Sequence, residues 1–289
     1  MISERRRYDV PLPGGRVLQL GERTLVMGIL NITPDSFSDG GLHLDPQRAV
    51  EQGLRMVEQG ADILDIGGES TRPGADVVGA EEEMRRVLPV VEGLAACTDA
   101  VISIDTYKAP VAREAVARGA GIINDISGLL YDPALASVAA DTGAALILMH
   151  TRGRSREMYE RAVYQDVVSE VRSELRAAMA RAESAGVRRD SLILDPGFGF
   201  AKRPEHSYAL LASLPALAAE GRPILSGPSR KSFLDDALGK RVPAEREWGT
   251  ASAVTVSVLL GAHVVRVHDV RTMIDVVRVS DRLRAAAAT

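Results

Sequence analysis

Eight short runs of apolar and β-branched residues recur along the chain, and each is followed by a longer segment with helical periodicity. The runs cover residues 24–31, 62–67, 101–105, 121–125, 145–150, 192–195, 223–227 and 263–269. Strands and helices that alternate in this way predict a parallel sheet covered by helices. Eight such units within 289 residues predict an α/β fold of one (β/α)8 barrel, a TIM barrel, with an open doubly wound sheet as the alternative.

The segment before the first run alternates like short strands and contains turn signals such as Gly14–Gly15. It predicts a hairpin over residues 8–23 that caps the bottom of the barrel formed by residues 24–286. No linker, low-complexity tract or internal repeat interrupts the sequence. We therefore predict a single domain over residues 1–289.

Charge and cysteine content exclude several classes of partner. The formal charge is −4, from 35 basic and 39 acidic residues, so no global basic field attracts nucleic acid or anionic lipid. Cys97 is the only cysteine, which excludes a disulfide framework and favours the reducing cytoplasm. The sequence shows neither an apolar segment behind the basic N-terminus nor a run of about 18 apolar residues, so we expect no export signal and no membrane span.

Polar residues close the apolar runs, at the face where a barrel of this kind carries its active site. The seventh run instead leads through Ser226 into "GPSRKSF". The other seven end in Asn31, Asp65, Asp105, Asn124 with Asp125, His150, Asp195, and His268 with Asp269. A single Asp in such a place is more often a cap or turn former. Their convergence in one pocket would cost stability unless they bound a ligand, and this indicates a functional site.

The side-chain types suggest what the ligand is. Asp105, Asn124 and Asp195 combine acceptors with one amide that also donates, a set that suits a heterocycle with an amino group and a ring N–H. Lys231 supplies a donor for a carbonyl oxygen or ring nitrogen, unless it is an exposed lysine at a helix start. Arg266 and His268 lie two apart on one strand and so face the same side.

Inside a barrel an arginine and a histidine would be buried charges or near-charges without purpose, whereas an anionic substrate group would pair with both, and we expect a phosphate or diphosphate. The alternative for Arg266 is a salt bridge to a neighbouring acid. Asn31 offers a neutral oxygen of the kind that Mg²⁺ accepts while it keeps water and phosphate oxygens. We expect this metal to arrive with the diphosphate.

Two glycine-rich segments and the first loop complete the pattern. "DPGFGFAK" (195–202) lacks the spacing of a phosphate loop and predicts a tight turn that leaves Phe198 and Phe200 as apolar walls. "GGESTRPGA" (67–75) predicts a mobile loop, and so does the stretch that follows Asn31 as far as Gly41.

The chain closely resembles the bacterial dihydropteroate synthases of the folate pathway from about Leu25 to Val279. The resemblance rests on "MGILNITPDSFSDGG", "DIGGESTRPGA", "ISIDTYK", "INDISG", "LMHTRG", "LILDPGFGFAK", "GPSRKSF" and "RVHDV", in that order. It implies a (β/α)8 barrel that condenses 6-hydroxymethyl-7,8-dihydropterin diphosphate with 4-aminobenzoate to give 7,8-dihydropteroate and pyrophosphate. It also implies sulfonamides as inhibitors and a homodimer formed through late helices.

The same resemblance assigns three groups of residues. For the pterin it implies Asp105, Asn124, Ile126, Met149, Asp195 and Lys231. For the diphosphate and its Mg²⁺ it implies Asn31, Arg266 and His268. For 4-aminobenzoate it implies Phe37, Thr71, Arg72, Pro73, Phe200 and Ser232. The implied reaction is an SN1-like substitution at the pterin CH₂, with Asp105, Asp195, Lys231, Arg266 and His268 as the catalytic set and two loops that close over it.

Three other functions compete with this interpretation. A non-catalytic pterin-binding paralogue should show damage in "TPDSFSDGG" or "STRPGA", and both stretches are intact. A pterin-dependent methyltransferase barrel does not need Arg266 together with His268, nor the first loop. A regulatory binding module is disfavoured because so many polar groups converge on one face. The arginine-rich segment 151–163 has no assigned role.

Overall fold

The computed structural model describes residue 2 and residues 4–33, 45–70, 77–154 and 157–287. Its first two strands, β1 Tyr8–Pro11 and β2 Val17–Leu20, pair antiparallel. Gly14 and Gly15 turn the chain between them with φ of +72° and +76°, a left-handed conformation that glycine adopts without strain. The predicted N-terminal hairpin is confirmed.

Eight parallel strands follow the hairpin and form one sheet. They are β3 Leu25–Asn31, β4 Ile63–Gly67, β5 Val101–Asp105, β6 Ile122–Asp125, β7 Ala145–Met149, β8 Leu192–Asp195, β9 Leu225–Ser226 and β10 Val264–Val267. Their order is β8-β7-β6-β5-β4-β3-β10-β9, and a bridge between Leu194 and Ile224 links β8 to the segment entering β9. The sheet therefore closes, and the predicted (β/α)8 barrel is confirmed.

Helices connect the strands and cover the outside of the barrel. They are α1 Pro46–Glu58, α2 Ala80–Cys97, α3 Ala109–Ala117, α4 Ala134–Thr142, α5 Val167–Ser184, α6 Pro204–Ala212, α7 Leu214–Ala218, α8 Asp235–Leu238, α9 Glu247–Leu259 and α10 Val270–Ala287. Within the described ranges, none of the helices combines the length and apolarity needed to cross a membrane.

The alternation of side chains along each strand produces two separate cores. Outward residues such as Leu64 and Ile104 pack against the helices. Inward residues near the strand starts, such as Ile63, pack against Leu18 and Leu20 of the hairpin, and each such side chain contributes roughly 1.5–3 kcal/mol on burial. The hairpin thus fills the bottom of the barrel, and the inward positions at the top remain for polar side chains.

Candidate active site

The site occupies the carboxyl ends of the barrel strands, where the inward series changes from apolar to polar. On β4 the series is Ile63, Asp65 and Gly67, and on β10 it continues from Val264 to Arg266. The same alternation directs the polar side chains at the ends of β3, β5, β6 and β8 into the barrel. Residues that are far apart in the sequence therefore meet above the apolar core that the strand starts form with the hairpin.

One pocket brings together all six residues that the sequence suggests for the pterin. Its lining also includes Phe200, Gly227 and Arg266. The six are Asp105, Asn124, Ile126, Met149, Asp195 and Lys231. The carboxylates and the amide supply polar contacts along one side, while Ile126 and Met149 supply apolar surface. A small planar heterocycle with several polar edges matches this composition.

Arg266 lies at the centre of an ionic network on the pocket floor. Its Nε donates to Asp65 Oδ2 and its Nη2 donates to Asp105 Oδ2, both at 2.6 Å. A salt bridge between Arg266 and a neighbouring acid, which the sequence left open as the alternative role of this arginine, is therefore present. Since these two bonds use two of the five guanidinium N–H groups, the salt bridge and a role in binding an anion are compatible.

Burial shifts the pKa values of Asp105, Asp195 and Lys231 in the pocket toward neutral pH. Desolvation raises the pKa of Asp105 to about 7, against the opposing effect of the Arg266 charge. Desolvation and, after it, the Arg266 charge lower the pKa of Lys231 to about 8, against the opposing charges of Asp195 and Asp105. Burial also raises the pKa of Asp195, which accepts a 2.7 Å hydrogen bond from the Gly197 amide. Ionisable groups whose pKa values are shifted in this way are typical of functional sites.

Lys231 lies where the pocket meets a wider cleft. Its Nζ is 4.0 Å from the centroid of the Phe200 ring, so a cation and an aromatic face stand side by side. Asp105, Phe200, Gly227, Lys231 and Arg266 line both spaces. A ligand bound in the pocket can therefore extend into the cleft.

The outer cleft contains the residues suggested for the diphosphate. Asn31, Arg266 and His268 line it, together with Ser232, which is exposed at the start of the 3₁₀ turn Ser232–Leu234. The His268 Nδ1 lies 2.9 Å from Ser229 Oγ, which holds the ring in place. Within the described part of the chain, no group of three or more His, Cys, Asp or Glu side chains is arranged to hold a metal ion.

The tight turn predicted after β8 is present and has a buried lysine beneath it. Gly197 has a φ of +67°, and a Cβ there would collide with the carbonyl oxygen of His150. Lys202 is 1% exposed, and its Nζ donates to the carbonyl oxygen of Phe200 at 2.9 Å and lies 2.8 Å from His150 Nδ1. Burial lowers the pKa of Lys202 to about 7. Lys202 thus supports the turn that presents Phe200.

Two of the polar strand ends have the structural role that is common for aspartate. Asp125 accepts hydrogen bonds from the amides of Ser127 and Leu129, and Asp269 accepts from the amide of Thr272. Both carboxylates stabilise the turns that follow their strands. His150 also faces away from the pocket, toward Lys202.

The arginine-rich segment after β7 has a structural explanation in its described part. Arg152 pairs with Glu174 and Glu170 of α5, and Arg154 stacks over the ring of Tyr131 at 4.4 Å. Arg152 thus fastens the segment to α5, whereas Arg154 lines a small cavity together with Ile126 and Phe200 at the top of the barrel.

Four residues suggested for 4-aminobenzoate lie outside the described residues. They are Phe37, Thr71, Arg72 and Pro73. Residues 34–41 of the first predicted loop and 71–75 of the second also lie outside them. The predictions about these residues and loops remain predictions.

Asp65 closes the second apolar run of the sequence, but the sequence indicates no particular role for it in the site. It is 0% exposed, and its Oδ2 accepts from Arg266 and from Asn124 Nδ2 at 2.9 Å. The signal that could have identified it is its inward parity in "DILDIG", a strand in which every other inward group is apolar or glycine.

Comparison with known proteins agrees with this geometry. A family model described as "pterin binding enzyme" matches residues 27–268, which defines the class of protein. Dihydropteroate synthase of Synechocystis sp. is 47% identical over 96% of this chain and 96% of its own length. The chain therefore belongs to the dihydropteroate synthase family of pterin-binding transferases.

Solved structures of the family superpose closely on the barrel. Dihydropteroate synthase of Xanthomonas albilineans with 4-aminobenzoic acid has a TM-score of 0.87 at 44% identity, covering 96% of this chain and 99% of the other. The Yersinia pestis enzyme in a sulfonamide complex has a TM-score of 0.88 at 40% identity, covering 96% and 99%.

Proposed function

We propose that the protein condenses 6-hydroxymethyl-7,8-dihydropterin diphosphate with 4-aminobenzoate, forming 7,8-dihydropteroate and pyrophosphate. The proposal rests on one observation, namely that the buried pocket and the outer cleft are continuous. A buried pocket with acceptors for a pterin opens into a cleft lined by Asn31, Arg266 and His268. The 4-aminobenzoic acid in the Xanthomonas albilineans relative supports the identity of the second substrate.

The pocket orients the pterin by its polar edges. Asp195 accepts hydrogen bonds from the amino group and the adjacent ring N–H, Asn124 accepts from the amino group through its carbonyl oxygen, and Lys231 donates to the carbonyl oxygen or a ring nitrogen. Ile126 and Met149 contact the ring faces. This orientation directs the CH₂ carbon toward the cleft, where the second substrate approaches beside Phe200 and Ser232.

The cleft binds the diphosphate through positive charge and through a metal ion. Arg266 and His268 donate to phosphate oxygens. Asn31 would offer a neutral oxygen to a Mg²⁺ ion that arrives with the diphosphate, which would need no cluster of acidic residues. When bound, the metal neutralises charge on the leaving oxygen.

The reaction exchanges one bond at the pterin CH₂. The C–O bond breaks and its electron pair leaves with pyrophosphate; the amine lone pair of 4-aminobenzoate forms the new C–N bond, and the amine then loses a proton. Asp105 and Asp195 stabilise the positive charge that develops on the pterin, and Arg266 stabilises the leaving group. Loops that close over the site would exclude water from the reactive carbon.

An assay with omitted components tests this proposal. The protein is incubated with the pterin diphosphate, Mg²⁺ and 4-aminobenzoate, and dihydropteroate is measured by chromatography. We expect product only in the complete mixture, and competition by a sulfonamide, as the Yersinia pestis complex suggests. No product at any substrate concentration, with pterin binding intact, would favour the non-catalytic paralogue instead.

We also propose a homodimer that forms through the last two helices. Trp248 and Val256 of α9 and Val279 and Leu283 of α10 are exposed apolar residues, with Trp248 79% and Val279 62% exposed. Such a patch on adjacent helices suits an isologous contact with a second copy. Cys97 is unpaired, which is compatible with the cytoplasmic location that we propose.

A further inference from the structure

Asp65 is the most deeply buried charged group of the site, and no step of the proposed reaction uses it. It is 0% exposed at the middle of β4, while the pocket lining begins one layer above it. A buried carboxylate is strongly destabilising unless it is paired and hydrogen-bonded. The partners of Asp65 therefore indicate its purpose.

Both hydrogen bonds to Asp65 come from residues of the pocket wall. Its Oδ2 accepts from Arg266 Nε at 2.6 Å and from Asn124 Nδ2 at 2.9 Å. Asn124 lies on β6 and must reach across β5 to make this contact. The residue of β5 in register with Asp65 is Ser103, which is small enough to leave the path open.

A carboxylate paired with arginine can only accept hydrogen bonds, and this fixes the orientation of the Asn124 amide. The amide must turn its NH₂ group toward Asp65 and its carbonyl oxygen away from it. The Asn124 Oδ1 atom is buried and has no hydrogen-bond partner among the described residues. One N–H and this oxygen therefore remain for a ligand.

We propose that Asp65 is a positioning residue that locks the Asn124 amide so that the pocket selects a ring nitrogen adjacent to an exocyclic amino group. The carbonyl oxygen accepts from the amino group and the second amide N–H donates to the ring nitrogen. Without the lock, the amide could rotate and present the reverse pattern. The inference rests on the proposed function, because it takes a 2-aminopterin as the ligand.

The same carboxylate oxygen also fixes the arginine of the leaving-group side. Arg266 is held by Asp65 at Nε and by Asp105 at Nη2, so its guanidinium plane has a set direction before any anion arrives. Asp65 thus connects Asn124, which selects the heterocycle, with the Arg266 cation, which faces the cleft.

Selectivity between two ligands tests the proposal. Calorimetry gives the dissociation constants of 6-hydroxymethylpterin and its 2-deamino analogue for the wild-type protein, for Asp65→Asn and for Ser103→Ala as a matched control in the same layer. We expect the wild type and Ser103→Ala to prefer the 2-amino compound by about tenfold or more, the effect of one lost hydrogen bond to a buried partner. Asp65→Asn should lose most of this preference.

A thermodynamic cycle separates positioning from general damage to the site. In an Asn124→Ala background, Asp65→Asn should leave the remaining ratio of the two affinities unchanged, because the residue acts through the amide. If Asp65→Asn keeps the wild-type preference, or changes the ratio equally in both backgrounds, the proposal is overturned. Failure of the wild type to bind either pterin would instead refute the proposed function.

A measurement on the wild type covers the case in which Asp65→Asn does not fold. Neutron diffraction of ligand-free crystals locates the deuterium atoms of the Asn124 side chain. We expect a deuterium on Nδ2 directed at Asp65 Oδ2. A carbonyl oxygen of Asn124 facing a protonated Asp65 would refute the inference.

Discussion

Pterin binding should depend on pH with a maximum between pH 7 and 8. The pKa of Asp105 is raised to about 7 and that of Lys231 is lowered to about 8, in both cases chiefly by burial. Binding uses Asp105 as a carboxylate, which requires a pH above the first value. It uses Lys231 as an ammonium, which requires a pH below the second. The two requirements together predict a bell-shaped profile.

The size of the effect follows from the two titrations. One pH unit below its pKa a carboxyl group is ionised in about one molecule in eleven, so affinity at pH 6 should be about tenfold below the limiting value. The same reasoning gives about a tenfold loss at pH 9 through Lys231. Calorimetric titration with 6-hydroxymethylpterin from pH 5 to 10 measures the profile.

Two variants assign the limbs of the profile. Asp105→Asn should weaken binding near pH 8 and remove the acid limb that is centred near pH 7, because the group that titrates there is gone. Lys231→Arg should move the alkaline limb beyond pH 10, since arginine stays protonated. An affinity that is flat from pH 5 to 10 in the wild type, or an acid limb that stays centred near pH 7 in Asp105→Asn, would refute the reasoning.

Three further predictions concern separate parts of the molecule. Asp195→Asn replaces a hydrogen-bond acceptor of the pterin by a donor and should weaken pterin binding by about 3 kcal/mol or more in calorimetry. Arg72→Ala should leave pterin binding nearly intact and lower turnover. Equal losses of pterin affinity in the two variants would contradict the assignment of Asp195 to the pterin and Arg72 to 4-aminobenzoate. Lys202→Met removes the support of the Phe200 turn and should raise the KM for 4-aminobenzoate more than the Kd for the pterin, and an unchanged KM would contradict it. Val279→Arg should shift the protein to a monomer in sedimentation, while the control Leu130→Arg, exposed on another face, should not; two identical sedimentation profiles would exclude this interface.

The barrel and most of the pocket could be predicted because both depend on local rules. Strand alternation decides which side chains point inward, and the active face is the end at which strands stop. Asp105, Asn124 and Asp195 therefore meet in one pocket without any knowledge of long-range contacts. The parity of Arg266 also placed it inside the barrel.

The remaining features depend on contacts between distant segments. Lys202 looks like an exposed lysine in sequence, and its burial follows from the position of His150 on another strand. The sequence does not distinguish Asp125, which stabilises a turn, from Asp65, which holds Asn124 and Arg266, until the partners are known. β9 has two residues where the predicted run has five, since Pro223 has no N–H and the Ile224 amide donates to His263 Nδ1 instead of the ladder.

A mass balance of the complete reaction tests the central claim most directly. The wild-type protein is mixed with the pterin diphosphate, Mg²⁺ and 4-aminobenzoate, and dihydropteroate and pyrophosphate are counted in the same samples. A pocket that holds the pterin and a cleft that admits the amine predict one dihydropteroate for each pyrophosphate, and neither product with Asp195→Asn. Pyrophosphate released without dihydropteroate would contradict the claim that both substrates meet in this site.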